Sequence, residues 1–195
     1  MPHRSLRAAW LLVAIAAAAQ ETGPRIFRPM DQTVVAAGPL SVVARTGGKG
    51  ELLLDGKPVA ATEPGPNALT AALKPSPGMH DLKLVSDGDP VVVRFFVRDA
   101  GNAAEAPKDW LEFKSHPPSA GCDACHAVQD GAWGFKGDTL ASNCAACHEA
   151  NAFPEIHTHN TVTLAECQLC HSPHGSTAAK LLKLKKELAC KQCHG

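Results

Sequence analysis

Cys167-Gln168-Leu169-Cys170-His171-Ser172-Pro173-His174, followed by Cys190-Lys191-Gln192-Cys193-His194, is the stretch that decides how the second half of this chain folds. Each cluster sets two thiols three positions apart, with an imidazole directly after the second. The same arrangement stands twice more upstream, as CDACH from Cys122 and CAACH from Cys144. First cysteines follow one another by 22, 23 and 23 residues, and Leu-Ala leads into three of the four copies, at Leu140-Ala141, Leu164-Ala165 and Leu188-Ala189. A fixed period of this length is an internal repeat, one structural unit per motif. The repeat holds all eight cysteines of the chain; the first 121 residues have none.

Two thiols at this spacing can add across the two vinyl groups of one haem, and the following His then lies under the iron. C-x-x-C-H is the attachment sequence of haem c. Structural zinc would use paired C-x-x-C knuckles, but it does not require a His after every second Cys. Disulfides leave the four identically placed His without a purpose, and a redox C-x-x-C of the thioredoxin type occurs once, inside a βαβ unit. The expectation is therefore four covalent haem c groups, bonded through Cys122 and Cys125, Cys144 and Cys147, Cys167 and Cys170, and Cys190 and Cys193. The proximal iron ligands are His126, His148, His171 and His194.

The sixth ligand sets the potential, and Met raises it. Met occurs only at Met1, Met30 and Met79, all outside the motif-bearing half. That half holds four further His, at His116, His157, His159 and His174, matching four irons one to one. Bis-His coordination with low potentials follows as the expectation. His157 and His159, two apart, point to different haems if the segment is extended. His174 follows His171 too closely to reach the far face of the same haem, so it is assigned to a neighbour, with the Cys190/Cys193 haem named first. His116 is left to the Cys122/Cys125 haem or to a neighbour.

From Pro107 to Gly195 there are 89 residues for four haems, too few and too rich in Gly, Pro and Ala for an ordinary core. Haems must organise this half, with short helices after each motif and loops elsewhere. Leu181, Leu184 and Leu188 fall on one helical face that would pack on a porphyrin. Trp110, Phe113, Trp133, Phe135 and Phe153 read as haem-packing residues.

The first half is of another kind. Arg4 and Arg7 precede the 12-residue apolar run Ala8 to Ala19, a signal peptide over residues 1–19 with Ala17-Ala18-Ala19 offering the cleavage site. Twelve residues are short of the ~20 that span a bilayer, and with no Cys after the run no lipid anchor is expected. Residues 24–99 alternate β-rich stretches with turns such as Asp55-Gly56 and Pro77-Gly78, as a small antiparallel sandwich does. His80 stands at a strand entry as a structural residue with no nearby partner. Residues 100–108, AGNAAEAPK, read as a linker to the haem domain of residues 109–195.

Two resemblances follow from these motifs. CQLCHSPHGS, then Lys180-Leu181-Leu182, then CKQCH looks like the doubled C-x-x-C-H modules of bacterial multihaem cytochromes, over about residues 157–195. In that family the His of C-H-x-P-H, here His174, ligates a haem iron. The Cys122 to His148 pair departs from the pattern, because Gln129 stands where the second His would be, and His157 or His159 is the natural substitute. The wider resemblance is to small tetrahaem electron carriers of the periplasm. The strand order around Leu54-Asp55-Gly56 and Pro77-Gly78-Met79-His80 resembles small immunoglobulin-like modules of bacterial surface and periplasmic proteins, over about 75 residues.

Nineteen basic residues balance nineteen acidic ones, which gives no electrostatic case for nucleic acid. Loss of Arg4 and Arg7 with the signal leaves 17 basic against 19 acidic residues, a net of −2, and haem propionates add to it. Lys180, Lys183, Lys185, Lys186 and Lys191 cluster beside the last motif, balancing propionates or forming a docking patch. The fold class expected is an all-β Ig-like sandwich followed by a multihaem cytochrome c domain of short helices and loops. The function expected is electron transfer, periplasmic or at the cell surface, between redox partners such as other cytochromes or a membrane quinol-linked complex. No membrane segment is expected in the mature chain, and an oligomer is left open. Alternatives are a small-molecule reductase with an open haem position, or a filament-forming structural subunit.

Overall fold

Alternation of side chains decides the first half. In Leu40-Ser41-Val42-Val43-Ala44-Arg45, Leu40, Val42 and Ala44 turn inward and are buried. In Gly78–Ser86 it is His80, Leu82 and Leu84. A period of two puts these residues on one face of a pleated strand. The computed structural model describes residues 23–87, 90–116, 121–137, 140–148, 167–189 and 191–194. The signal segment 1–19, His157, His159, Phe153 and Cys190 lie outside the described residues.

Eight strands build the sandwich: β1 (Arg25–Arg28), β2 (Thr33–Ala36), β3 (Leu40–Arg45), β4 (Gly50–Leu54), β5 (Lys57–Pro58), β6 (Ala68–Leu73), β7 (Gly78–Ser86) and β8 (Val91–Arg98). One sheet runs β1-β3-β6. The other runs β5-β4-β7-β8-β2 and takes a further edge strand, β9 (Leu111–Glu112). Pairing is antiparallel except where β2 lies parallel to β8 and to β9. Sheets that divide consecutive strands in this way, as A-B-E against C-F-G, have the immunoglobulin-like arrangement. Asp55 and Gly56, both at positive φ (51° and 77°), close the β4–β5 hairpin. That is the left-handed pair a two-residue primed turn demands. Leu52, Leu82, Leu84, Phe95 and Val97 are sealed between the sheets. Each such side chain contributes roughly 1.5–3 kcal/mol through burial.

Two sequence expectations change here. His80 has partners: Nδ1 meets Asp55 Oδ2 and Nε2 meets Ser76 O, both at 2.7 Å, while its ring stacks on Phe95. Phe113, read as haem-packing, belongs to the sandwich core at 8% exposure. β9 runs past residues 100–108 and carries Phe113 inward, with its N–H donating to Val34 O.

The second half begins with α1 (Cys122–Cys125) and the hairpin of β10 (His126–Gln129) and β11 (Ala132–Phe135). Then come α2 (Leu140–Ala145), 3-10 turns at Cys167–Leu169 and Ala179–Leu181, α3 (Lys186–Ala189) and α4 (Lys191–His194). A hairpin therefore follows the first motif where a helix was expected. Asp130-Gly131, again at positive φ (50° and 73°), turns it. Leu181, Leu184 and Leu188 do not share one helix. Lys180 and Leu181 take left-handed φ (56° and 55°), and a bridge from His171 to Leu182 holds the chain extended before α3 begins.

This half has no apolar interior of its own among the described residues. Beyond Phe113 the buried ones are Asn143, Gly175 and Ser176. Val128, Trp133, Phe135, Leu169, Leu184 and Leu188 stand exposed. No helix among the described residues is long and apolar enough to cross a membrane.

Candidate haem sites

Each of the first three motifs is one helical turn. His148 and His171 donate their backbone N–H to the carbonyls of Cys144 and Cys167 at 3.0 Å, and His126 caps α1 by the same bond to Cys122. Cys193 and His194 fall within α4. Residues at i, i+3 and i+4 of a turn lie on one face. Local geometry alone thus gathers two cysteines and the imidazole after them on one side. No disulfide joins the six described cysteines outside α4.

Backbone carbonyls then orient the imidazoles. His171 Nδ1 lies 2.9 Å from Lys180 O, and His126 Nδ1 lies 3.3 Å from Gly134 O. With Nδ1–H donated, Nε2 keeps its lone pair. Metal-binding His are oriented in this way, through the nitrogen that does not ligate. The Asp130-Gly131 hairpin is what returns Gly134 to His126.

Two of the spare His approach motif His from distant segments. The ring of His174 lies 6.2 Å from that of His126, centroid to centroid, inclined 33°. The ring of His116 lies 6.1 Å from that of His148, inclined 78°. Two metal–imidazole bonds of about 2 Å, plus about 1 Å from each nitrogen to its ring centre, would separate two axial rings by about 6 Å. The residues present therefore fit an iron between each pair. His174 lies beside the motif His of Cys122/Cys125, and His116 beside that of Cys144/Cys147, while Cys190 lies outside the described residues. Burial first, then the neighbouring His126 and Arg28, push the His174 pKa down to about 4. It is neutral at pH 7, as a metal ligand must be.

The thiols converge as well. Burial lifts the Cys144 pKa to about 11, helped by the nearby Cys167 and Cys125 thiols. Attachment points of three successive motifs thus lie close together. A cleft of about 310 Å³ opens beside the first motif, lined by Pro64, Cys122, Asp123, His126, Val128 and Trp133. Another of about 240 Å³ lies away from these motifs, against Asp31, Asp81, Arg94 and Trp110.

The sandwich reaches into this site. Arg28 Nε donates to His174 O at 2.8 Å, and Phe27 lies 5.1 Å from the His174 ring. Lys114 and Ser176 exchange two backbone hydrogen bonds of 2.8 and 2.9 Å. Trp133 Nε1 donates to Pro66 O at 2.7 Å. Phe27, Arg28, Lys114 and Ser176 were not singled out from the sequence, because Arg28 and Phe27 lie about 150 positions from His174 with no local pattern linking them.

Residues 159–195 match the family described as the doubled CXXCH motif. That segment is similar to multihaem c-type cytochromes, whose motif binds haem covalently and whose part is electron transfer. No curated protein matches the chain. Among solved structures it is similar to one described as "Structures of Clostridium thermocellum CbhA fibronectin(III)-like modules". The identity is 18% over 38% of this chain and 95% of the other, with a TM-score of 0.32.

Proposed function

We propose that this chain is an exported tetrahaem c-type cytochrome that transfers electrons. Haem c is bonded through Cys122/Cys125, Cys144/Cys147, Cys167/Cys170 and Cys190/Cys193, over proximal His126, His148, His171 and His194. His174 completes the coordination at the first motif and His116 at the second, while His157 and His159 serve the remaining two. The observation that carries this reading is two pairs of neighbouring imidazoles, with ring centres 6.2 and 6.1 Å apart, each pair bringing a motif His beside a His from elsewhere in the chain.

Bound haem supplies one-electron chemistry, the iron alternating between ferric and ferrous. The chain's own residues fix its ligation, spacing and exposure. Gly134 and Lys180 carbonyls hold His126 and His171 in the ligating tautomer. Val128, Trp133, Phe135, Leu169, Leu184 and Leu188 supply the apolar contacts a porphyrin face needs. Closely gathered thiols place neighbouring porphyrins near enough for electrons to pass between them. Residues 1–19 act as the export signal, residues 24–99 as the β module, and residues 109–195 carry the haems. The mature holoprotein is anionic, and the cluster from Lys180 to Lys191 faces an acidic redox partner or its own propionates.

Carbon monoxide added to the reduced protein tests the ligation. An unchanged low-spin spectrum is expected when both axial positions of every iron are filled. A spectral change at one haem would favour a reductase with an open position instead.

A further inference from the structure

The residues around His174 come from two parts of the chain, and only one of them bears haem motifs. In sequence His174 belongs to the third motif, three residues beyond His171. In space its ring lies 6.2 Å from that of His126 of the first. The chain that makes this crossing is short, and each of its residues touches the sandwich or the strand end that follows it. Phe27 of β1 lies against the imidazole, and Arg25 and Arg45 stand 5.5 and 5.7 Å from the Phe27 ring centre, fixing that ring in turn. Arg28 holds the carbonyl of His174. Phe113 of the sandwich core presses on Gly175, so closely that a β-carbon there would collide with the phenyl ring, and Gly175 takes a φ of +142° that side chains rarely adopt. Lys114 brackets Ser176 with its two backbone bonds. Residues 174, 175 and 176 are thus each pinned to the β module.

We propose that the β module is the positioning element of the first haem: Phe27 and Arg28 aim His174 at the iron over His126, and the Arg28 cation favours the reduced iron. This rests on the reading of His174 as an axial ligand. A side chain fixed by packing and by a hydrogen bond to its own backbone has little freedom to leave the metal. Arg28 is half-buried, so its charge is incompletely screened by water. Reduction adds one electron to the iron and removes one positive charge from the centre. A nearby fixed cation therefore stabilises the ferrous form and raises the potential.

The test uses the full-length holoprotein with Phe27→Ala, Arg28→Gln, Arg28→Lys and His174→Ala. Haem-to-protein ratio and far-ultraviolet circular dichroism report whether each variant is folded and loaded. Phe27→Ala is expected to turn about a quarter of the haem absorbance high-spin or reactive toward carbon monoxide, with added imidazole restoring it. Arg28→Gln is expected to lower the potential of one haem and leave the others unchanged, and Arg28→Lys to lower it less. If His174→Ala frees one haem while Phe27→Ala and Arg28→Gln match the parent in spectrum and potential, the positioning role is overturned. If His174→Ala leaves every haem six-coordinate, the ligand reading itself fails. Should Phe27→Ala lose haem altogether, Arg28→Gln and its potential decide the matter alone.

Discussion

The ring centres of His116 and His148 lie 6.1 Å apart, one ring inclined 78° to the other. His148 arrives there by local rules, as the end of a helical turn begun at Cys144. His116 arrives because β9 and Phe113 anchor the chain just before it to the sandwich. Replacing His116 by Met should exchange a nitrogen ligand for a thioether and raise the potential of one haem, since Met/His coordination favours the ferrous state. A redox titration with optical detection checks this, and an unchanged set of potentials would remove His116 from the ligand set.

The contact between Gly65 and the β10–β11 hairpin admits no side chain. A β-carbon at Gly65 would lie 2.5 Å from the Trp133 ring and 2.9 Å from a Val128 methyl. Gly65→Val is expected to break the Trp133–Pro66 hydrogen bond and cost about 1–3 kcal/mol of overpacking. Urea unfolding followed by Trp fluorescence would show the midpoint falling, and a midpoint equal to the parent's would mean the contact is unimportant.

Much of this architecture was legible in the sequence, because it is local. Cys-x-x-Cys-His sets its own helical turn, and Asp55-Gly56 sets its own hairpin. Asp130-Gly131 carried the same signal, flanked by Val128 and Trp133, but the expectation of helices after every motif overrode it. That His174 lies beside His126 was not legible, for a different reason. Its position depends on Phe27, Arg28 and Phe113, which act only once the sandwich has closed, and no spacing in the sequence records that. Phe113 was misread likewise: aromatic residues between a linker and a haem motif look alike until β9 adds to the sheet.

The sandwich should fold independently of haem, for its core is complete without it. Leu84, fully buried between the sheets, is the sensitive point. Leu84→Ala is expected to cost about 2–5 kcal/mol. Far-ultraviolet thermal melts of the apoprotein should show a lower transition, and an unaltered melt would place the stabilising core elsewhere.

Thiol reactivity offers a test before haem is attached. The Cys144 pKa is raised to about 11, so its thiolate is scarce at pH 8. Thiolate is the reacting species, and alkylation of Cys144 in the apoprotein should run slower than that of a free cysteine by roughly one to two orders of magnitude. The rate should climb as pH rises toward 11. Mass-spectrometric mapping of iodoacetamide labelling over time measures it, and rapid labelling at pH 8 would contradict the burial of that thiol among its neighbours.

Iron and haem counted per chain, by native mass spectrometry together with a reduced absorption spectrum, bear most directly on the whole account. Four covalent haems on each exported chain, all low-spin, is the predicted result. A colourless protein holding zinc or cystine at these cysteines would contradict it.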